Sequence, residues 1–497
     1  MEYLLTSQQM KSADNYTICE LGIPSKVLME RAASACVNYI EQHSWSTDDI
    51  CIVCGSGNNG GDGFAIGRLF LERGIPVTVY FVGKAESCTN ETKYQIELFR
   101  QCGGDYVTKI PKIKPGVVID AIFGVGLNRE ISGGYKQTIE WMNQLSGHKL
   151  AVDIPSGIDA STGNILGCVF NADVTITFQE KKIGLMQYPA ANYVGKIVVA
   201  DIGIDSSIIT KNIGTAYTLN THDIKKSLPV RNPDSNKGTH GKALVIAGSM
   251  GMAGAAYLCA HAAYMTGAGL VRVYTAEENR IPLQILLPEA IITTYESFDE
   301  EEVLSLLEWA DTVCIGPGIG KSDLSKKILE IVVKHASVPC LIDADGLNLL
   351  SEDIGLMEHL SNKPFILTPH MKELSRLTGA SIEAIKSNRK EFAEQFTSKY
   401  HVILVEKDAR TIVSQKGKQT YLNLTGNAAM AKGGSGDVLS GMICGLLAQK
   451  MDCFESAVTG VYLHGASGDY SRKMSGDYSV LARDLINNIS YVLKEVE

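Results

Sequence analysis

The amino-acid sequence predicts an α/β protein with two doubly wound domains. In both halves, short apolar runs of strand length alternate with longer segments of helical periodicity, as around Ile50–Cys54 and Cys340–Ile342. Such alternation is typical of a parallel sheet with helices on both faces. A chain of 497 residues is too long for one ordinary core, and a polar, proline-containing stretch over residues 205–234 separates the two patterns. We therefore predict one domain at residues 1–214 and another at residues 222–497.

The composition disfavours several classes of partner and location. There are 55 acidic and 46 basic residues, and a net charge of −9 argues against nucleic acid or an anionic membrane as the main partner. No apolar run approaches membrane-spanning length, and no signal peptide is recognisable at the N-terminus. The 12 cysteines are scattered, and Cys51 and Cys54 fall on opposite faces of a predicted strand, so we expect reduced core thiols. These features predict a cytoplasmic protein.

The first half begins with two predicted helices, at residues 6–21 and 25–42, with Thr6 and Ser25 as N-caps. A loop with five glycines is expected over residues 55–63. It matches GxGxxG, but the next strand lacks the acidic residue of a dinucleotide site, so NAD-dependent redox chemistry is not expected. The predicted strands are Ile50–Cys54, Pro76–Val82, Val117–Asp120, Leu150–Asp153 and Lys196–Ile202, with a further helix at residues 89–102.

Three polar loops follow strands of the first half, at residues 58–62, 120–129 and 153–159. Because the carboxyl ends of parallel strands meet at one rim, we expect these loops to lie together. Asn59, Asp120 and Ser156 would then offer hard oxygen ligands to an alkali or alkaline-earth cation. Asp153 is the candidate acid/base. The alternative is that each residue stabilises its own turn, which accounts for any one of them but poorly for three on one rim.

In the second half, the decisive stretch is a glycine-rich turn, Gly433–Asp437, that runs into an apolar helix. Free backbone N–H groups and the positive end of the helix dipole favour anions there. A carboxylate at such a place suggests that Asp437 takes a proton from a hydroxyl, but an N-cap role is equally open. His370 follows Thr-Pro at a strand end and is either a turn residue or a catalytic one. No Walker P-loop and no zinc motif occurs.

Taken in order, the motifs resemble the bifunctional nicotinamide nucleotide repair enzymes, in which an NAD(P)H-hydrate epimerase is fused to an ADP-dependent NAD(P)H-hydrate dehydratase. The resemblance covers nearly the whole chain, and the order of the motifs is more specific than any one of them. The motifs are Gly57–Gly63, Asp120–Leu127, Val152–Gly157, Gly316–Gly318, Asp343–Asn348, Leu367–His370 and the Asp437 turn.

This resemblance implies a Rossmann-like first domain and a ribokinase-like second domain. It implies catalytic roles for Asp153 and Asp437 and a potassium site at Asn59, Asp120 and Ser156. The implied substrate contacts are Asn58, Asn59, Gly60, Gly61, Asp62, Gly124, Val125, Gly126, Leu127, Asn128, Arg129, Glu130, Asp153, Ala255, Gly318, His370 and Asp437. The implied nucleotide contacts are Lys407, Asp408, Ala409, Arg410, Thr411, Asn427, Gly433, Gly434, Ser435 and Gly436.

The implied chemistry is phosphorylation of the hydroxyl on a hydrated nicotinamide ring, followed by loss of phosphate to restore the ring. ADP or ATP, Mg²⁺ and K⁺ are the implied cofactors, and a homo-oligomer acting on small molecules is expected. The family usually has Lys-Gly where this chain has Lys407-Asp408, and the added carboxylate is expected to disfavour phosphate. Two alternatives are a ribokinase-type small-molecule kinase and a noncatalytic nucleotide-binding first half.

Overall fold

A computed structural model describes residues 1–361 and 363–496. The chain divides into two compact units, which are described separately. Residues 3–216 form the N-terminal unit, and the rest of the described chain, including Met1 and Glu2, forms the C-terminal unit. None of the helices in the described residues is long and apolar enough to span a membrane.

The N-terminal unit is built on a parallel seven-stranded sheet in the order β4-β3-β2-β5-β6-β7-β9, and β1 pairs separately with β8. Its strands are β1 (Glu2–Leu5), β2 (Ile50–Cys54), β3 (Val77–Phe81), β4 (Tyr106–Val107), β5 (Val117–Ala121), β6 (His148–Val152), β7 (Val174–Phe178), β8 (Lys181–Lys182) and β9 (Lys196–Ala200). Its helices are α1 (Ser7–Cys19), α2 (Ser25–Gln42), α3 (Asn58–Glu72), α4 (Asn90–Gln101), α5 (Gly133–Gln144) and α6 (Ser207–Thr210).

The predicted strands of this unit are present, with shifts of a few residues at their ends. β2 and β5 are buried along their whole length, as expected of central strands covered on both faces. Thr6 caps α1 through a capping box with Gln9, as predicted. The prediction for Ser25 is wrong: Pro24 is the N-cap of α2 and makes no side-chain cap, and Ser25 is already helical.

The glycine-rich segment is more helical than predicted, because α3 begins at Asn58 within the expected loop. The reason is a close backbone approach between Gly55 and the first turn of the helix. A Cβ atom on Gly60 would lie 1.8 Å from the carbonyl oxygen of Gly55, so only glycine allows the helix to begin so near the strand. The segment therefore places Asn58–Asp62 on a rigid helix at the rim of the sheet.

The C-terminal unit has a larger sheet in the order β13-β12-β11-β14-β15-β16-β17-β18-β19-β10, parallel from β13 to β17 and antiparallel at β17-β18-β19. Its strands are β10 (Ala216–Thr218), β11 (Lys242–Ile246), β12 (Leu270–Ala276), β13 (Ile291–Tyr295), β14 (Thr312–Ile315), β15 (Cys340–Ile342), β16 (Phe365–Leu367), β17 (Ile403–Glu406), β18 (Ile412–Ser414) and β19 (Tyr421–Leu422). Its helices are α7 (Thr221–Ser227), α8 (Ala253–Met265), α9 (Arg280–Leu286), α10 (Glu300–Trp309), α11 (Asp323–His335), α12 (Asp345–Glu352), α13 (Met371–Thr378), α14 (Ile382–Ser387), α15 (Arg389–Tyr400), α16 (Ser435–Ala448), α17 (Cys453–Ser475) and α18 (Ala482–Val496).

The helix α16 lies at the centre of this unit, and every residue from Val438 to Ala448 is buried. It packs on α8 through small residues: a Cβ atom on Gly441 would lie 2.1 Å from the carbonyl oxygen of Cys259. Gly434, with a φ of +91°, turns the chain into the first helical residue, Ser435. Asp437 consequently lies in the first turn of a rigid buried helix and not in the preceding loop.

Candidate active sites

The N-terminal candidate site is a cavity of about 840 Å³ at the carboxyl ends of the parallel strands. Because β2, β5 and β6 are neighbours in the sheet, their three polar segments meet there, as predicted. Of the predicted ligand contacts, the residues that line the cavity are Asn58, Asn59, Asp62, Gly124, Val125, Gly126, Leu127, Asn128, Arg129 and Asp153. Gly60, Gly61 and Glu130 do not line the cavity, and neither do the buried residues Asp120 and Ser156.

Asp120 and Ser156 form one hydrogen-bonded unit near the carboxyl ends of β5 and β6. Ser156 donates its backbone N–H to Asp120 Oδ2 and its hydroxyl to Oδ1, each at 2.7 Å, and the N–H of Ile122 also donates to Oδ1. The Asp120 side chain is fully buried. Burial raises the pKa of Asp120 to about 6, although the bonds from Ser156 and Ile122 oppose that rise. The unit is thus a buried carboxyl that three donors hold in place.

These residues fit a monovalent cation. Asp120 is fully buried, and no lysine or arginine among the described residues forms an ion pair with it. One carboxylate with neutral amide and hydroxyl oxygens is a hard, weakly charged donor set, which suits an alkali cation better than a transition metal. In the same part of the chain, no cluster of three or more His, Cys, Asp or Glu side chains could hold a metal.

Asp153 follows β6 in a strained conformation and contacts a buried lysine. Its φ of +65° is in the left-handed region, which Asp tolerates better than most residues. The Lys182 ammonium donates to Asp153 Oδ1 at 2.6 Å, and Lys182 is 1% exposed. The N–H of Phe178 and the hydroxyl of Thr177 also donate to Oδ1, at 3.1 and 3.3 Å. The candidate base is therefore oriented by three groups from β7 and β8.

Three further carboxyls, Asp14, Asp62 and Glu91, line the same cavity. Burial raises the pKa of Asp62 well above its ordinary value, and the negative charges of Asp153 and Asp14 add to the effect. Burial and the charges of Asp153 and Glu91 raise the pKa of Asp14 as well. The cavity thus holds a lysine-paired carboxylate beside carboxyl groups that favour the protonated form. Such pairs of groups in different states are typical of acid/base sites.

Sequence reasoning missed Lys182, although one signal was available. Two adjacent lysines, Lys181 and Lys182, follow the apolar run Val174–Phe178, and a lysine next to a buried strand needs an acidic partner. Its partner is 29 residues away in the chain, so no local spacing indicates the pair.

The C-terminal candidate site centres on Asp437, where α16 meets the carboxyl ends of β15 and β17. Lys407, just after β17, donates to Asp343 Oδ1 at 2.6 Å, and Ser440 of α16 donates to Asp343 Oδ2 at 2.7 Å. A Cβ atom on Gly436 would lie 3.4 Å from the Lys407 ammonium, so the glycine turn directly adjoins this pair. Asp343 itself was part of a predicted motif, but its pairing with Lys407 was not predicted.

The capping alternative for Asp437 is wrong. The N-cap of α16 is Gly434, which has no side chain, and Asp437 makes no cap hydrogen bond. Burial, with Asp343 and then Asp345 as neighbouring charges, raises the pKa of Asp437 to about 7, although Lys407 opposes the rise. A carboxyl with that pKa, placed in the first turn of a helix, is suited to exchange protons near neutral pH.

The predicted nucleotide segment Lys407–Thr411 carries its own charge compensation. Arg389 lies 2.6 Å from Glu406 Oε1 through Nε and 3.7 Å from Asp408 Oδ2 through Nη1. The carboxylate of Asp408, expected to disfavour phosphate, is therefore partly neutralised by a buried guanidinium. Arg410 donates to the carbonyl of Leu424 at 3.0 Å, and Thr411 to the carbonyl of Asp408 at 3.2 Å. These bonds fix the shape of the segment.

The glycine turn is bordered by two polar pairs that sequence reasoning did not identify. Asn427 donates to Asp469 at 2.8 Å, and the Ser435 hydroxyl lies 3.2 Å from His464 Nε2. Desolvation lowers the pKa of His464 to about 4, and Lys407 acts in the same direction, so the imidazole is neutral at pH 7. A neutral His464 can accept the proton of the Ser435 hydroxyl. The backbone N–H of Ser435 donates to the carbonyl of Lys432 at 3.3 Å.

Ala255, Gly318 and His370 lie on three separate segments of this unit. A Cβ atom on Gly318 would lie 2.9 Å from the Cβ of Ala255, so these two are in contact. His370 is the N-cap of α13, and its Nδ1 accepts from the backbone N–H groups of Lys372 and Glu373. His370 also pairs with Lys407 in a parallel bridge. The predicted turn role of His370 is thus observed, and its Nε2 lies 3.4 Å from Glu373 Oε1.

Comparison with known proteins gives two family matches in one chain. Residues 25–184 match the family model described as YjeF-related protein N-terminus, and residues 243–490 match the model described as NAD(P)H-hydrate dehydratase. A relative from Moorella thermoacetica, named bifunctional NAD(P)H-hydrate repair enzyme Nnr, is 33% identical and covers 100% of this chain and 97% of its own. A relative of the same name from Escherichia coli is 35% identical over 95% of this chain and 90% of its own.

Solved structures resemble the C-terminal unit. A ribokinase-like superfamily protein from Enterococcus faecalis has a TM-score of 0.51 at 29% identity and covers 56% of this chain and 96% of its own. The ADP/ATP-dependent NAD(P)H-hydrate dehydratase from Bacillus subtilis, co-crystallized with ATP/Mg²⁺, has a TM-score of 0.50 at 30% identity. It covers 56% of this chain and 98% of its own. The predicted ribokinase-like fold of the second half is confirmed by these likenesses.

Proposed function

Since the chain belongs to the bifunctional NAD(P)H-hydrate repair enzymes, we propose that residues 1–214 and 222–497 perform the two reactions of that family, each around one carboxylate. The enzyme restores hydrated NADH and NADPH: an epimerase interconverts the R and S hydrates, and a nucleotide-dependent dehydratase returns the S hydrate to NAD(P)H. The observation that carries the assignment of residues is that each strand-end rim presents one carboxylate whose surroundings favour proton transfer, Asp153 in one unit and Asp437 in the other.

In the epimerase, Asp153 is the proton acceptor and donor. Epimerisation breaks and remakes a bond at the carbon that bears the hydroxyl, so a proton must leave one group and return to another. Asp153 lines the cavity and is held by Lys182, and Asp62, whose pKa is raised by burial, lies in the same cavity as a group that can supply a proton. The glycine-rich start of α3 and the segment Gly124–Glu130 hold the dinucleotide.

Asn59, Asp120 and Ser156 would hold a potassium ion below the substrate. The ion would supply a fixed positive charge at the cavity floor. The donor set supports this proposal, because Asp120 is a buried carboxyl without an ion-pair partner in the described chain.

In the dehydratase, Asp437 takes the proton of the substrate hydroxyl as that oxygen attacks the terminal phosphoryl group of the nucleotide. Phosphate then leaves with the C–O bond electrons, and the ring double bond forms as a ring proton is lost. The N–H groups of Gly433–Gly436 are placed to stabilise the charge on the transferred phosphoryl group. Lys407–Thr411 and Asn427 hold the adenine nucleotide, and Gly318, Ala255 and His370 hold the hydrate.

Mg²⁺ would accompany the nucleotide, as in the co-crystal of the Bacillus subtilis dehydratase. Since no cluster of three metal-ligating side chains occurs in the described residues, the ion would bind mainly through phosphate oxygens and water and would neutralise charge on the phosphates. Dehydration rates measured with ADP and with ATP separately identify the preferred phosphoryl donor.

We also propose a cytoplasmic homo-oligomer. The twelve cysteines are all free thiols in the described structure. The helix α9 exposes Ile281, Ile285 and Leu286 at 68%, 74% and 51%, and the adjacent β13 is an edge strand. Exposed apolar side chains beside a free edge are typical of an interface between subunits. Light scattering of the purified protein measures the state, and a monomer at micromolar concentration would contradict it.

The function is tested by incubating the whole protein with a mixture of R and S hydrates of NADH. With ADP or ATP and Mg²⁺, both epimers should return to NADH. Without nucleotide, no NADH should form, but a sample enriched in the R hydrate should still become a mixture of epimers. A stable phosphorylated product would favour the small-molecule kinase alternative. Consumption of the S hydrate alone would make the N-terminal unit a noncatalytic binding module.

A further inference from the structure

The buried Lys182 contacts the candidate base of the N-terminal unit and has no catalytic role of its own in the proposed function. It lies in the short strand β8, is 1% exposed and lines the same cavity as Asp153. An ammonium group buried to that degree is unfavourable unless each of its protons has an acceptor. The acceptors of these protons therefore determine the chemical role that is open to Lys182.

All three protons of the ammonium group have acceptors within the protein. Lys182 donates to Asp153 Oδ1 at 2.6 Å, to the carbonyl of Phe178 at 2.8 Å and to the hydroxyl oxygen of Thr177 at 3.0 Å. A lysine has three donors and no acceptor, so none is left for a ligand. Lys182 can therefore act on the substrate only through Asp153.

The carboxylate of Asp153 is held from one side only. Lys182, Thr177 and Phe178 all donate to Oδ1, and no described residue donates to Oδ2. The Thr177 hydroxyl accepts from Lys182 and donates to Asp153, which closes a ring of three side chains. The arrangement fixes the rotation of the carboxylate and leaves Oδ2 as the oxygen that can reach a substrate.

The charged groups around Asp153 are mostly acidic. The negative charge of Asp153 adds to the burial that raises the pKa of Asp62 of α3 and of Asp14 of α1, and burial, Asp62 and Asp153 raise the pKa of the Cys36 thiol of α2. Glu91 of α4 and Lys11 of α1 also line the cavity. Lys182, from β8, is the one cation that pairs with Asp153 among the described residues. Without it, the carboxylate would keep two hydrogen bonds to Oδ1 but no cation.

We propose that Lys182 is the positioning residue of the epimerase: it is the cation that pairs with Asp153, it fixes the rotation of the carboxylate, and it leaves Oδ2 free for the substrate. This inference rests on the proposed role of Asp153 as the base. It assigns a function to a lysine that lies outside the predicted ligand contacts. Lys182 itself transfers no proton.

The test measures epimerisation against pH in the full-length protein with Lys182→Met, which keeps the chain length but removes the charge. At pH 7, kcat should fall by about one to two decades, because Asp153 loses the cation and one of the three hydrogen bonds that hold its carboxylate. KM should change by less than about threefold, because Lys182 does not contact the ligand. The rising limb of the pH–rate profile should move to higher pH. Lys182→Arg should keep the limb near its original place.

The matched control is Lys136→Met, an exposed lysine paired with Glu140 at 4.0 Å and remote from the lining residues. It should change neither the rate nor the profile. Methylammonium added to Lys182→Ala should restore part of the lost rate, which a purely structural lysine would not allow. The inference would be overturned if the rising limb of the pH–rate profile did not move in Lys182→Met, or if the variant changed KM and left kcat unchanged.

Folding is followed by thermal melts of each variant. If Lys182→Met and Lys182→Gln both fail to fold while Lys182→Arg is folded, the lysine is structural and the inference is wrong. Failure of the underlying proposal has a different signature: Asp153→Asn would then epimerise the hydrate at the parent rate. An inactive Asp153→Asn together with an unaltered Lys182→Met would contradict the inference alone.

Discussion

Asp153 in the N-terminal unit and Asp437 in the C-terminal unit each have a lysine close by, but the two lysines are used differently. Lys182 contacts Asp153 itself at 2.6 Å. Lys407 instead pairs with Asp343, and its effect on Asp437 is a weaker one from a distance. Asp153 is thus paired with its lysine, whereas Asp437 lies near a lysine that is paired with Asp343.

The difference shows how two similar strand-end sites can place a lysine differently around the candidate base. At Asp437, burial and the charge of Asp343 outweigh the attraction of Lys407, and the pKa rises to about 7. At Asp153, the lysine contacts the carboxylate itself, and two further hydrogen bonds reach the same oxygen. The surroundings of each base thus depend on where its lysine is bound and not only on the presence of a lysine.

The largest expected effect is on epimerisation in Asp153→Asn. Asn tolerates the left-handed backbone at this position, so the variant removes the base without adding strain. Epimerisation should fall by about two to four decades, while the hydrate still binds and dehydration of the S hydrate is unchanged. The measurement is the rate of epimer exchange by chromatography, with dehydration as the internal control. A fall in both activities would mean that epimerisation and dehydration do not use separate sites.

The complementary variant is Asp437→Asn, which keeps the shape of the first helical turn. Dehydration should fall by about two or more decades, since the base is lost, and nucleotide binding should survive. Turnover of the S hydrate and a nucleotide titration check both halves of this expectation. Epimerisation in the same sample should be unchanged. Near-normal dehydration would remove Asp437 from the mechanism.

A smaller effect is expected in Asp120→Ala, which removes the only carboxylate of the proposed potassium site. Epimerisation should weaken by about tenfold, and dehydration of the S hydrate should be intact. In the parent, potassium should raise the melting temperature more than lithium does, because an ion that binds only the folded state stabilises it. This difference should vanish in the variant. A variant that melts far below a parent indifferent to potassium would make Asp120 a structural brace.

Much of the fold could be predicted because central parallel strands are continuous apolar runs with turn residues at their ends. β2, β5, β14 and β15 are of this kind. β7 was not predicted, because its threonines at positions 175 and 177 make the strand look half polar although both are fully buried. The beginning of α3 was misplaced because its glycines read as a loop, whereas they serve a close contact with Gly55.

The sequence predicted that the polar motifs of each site lie together, because the order of the strands brings their carboxyl ends to one rim. The ion pairs between residues distant in the chain were not predicted. Lys182 meets Asp153 across 29 residues, and Lys407 meets Asp343 across 64. Arg389 likewise reaches Asp408 from a helix that carries no ligand motif. Such partners are set by packing in three dimensions, and no periodicity or spacing records them.

Burial and the charge of Asp343, which binds Lys407, raise the pKa of Asp437 close to neutrality. The most direct measurement is kcat/KM for dehydration of the S hydrate against pH, in the parent and in Asp343→Asn. Because Asp437 must be ionised to act as a base, the parent rate should rise with pH through about pH 7. The variant removes the neighbouring charge that raises this pKa and releases Lys407, so its rising limb should lie at lower pH. A parent limb far below pH 7, or a limb that does not move in Asp343→Asn, would contradict the claim.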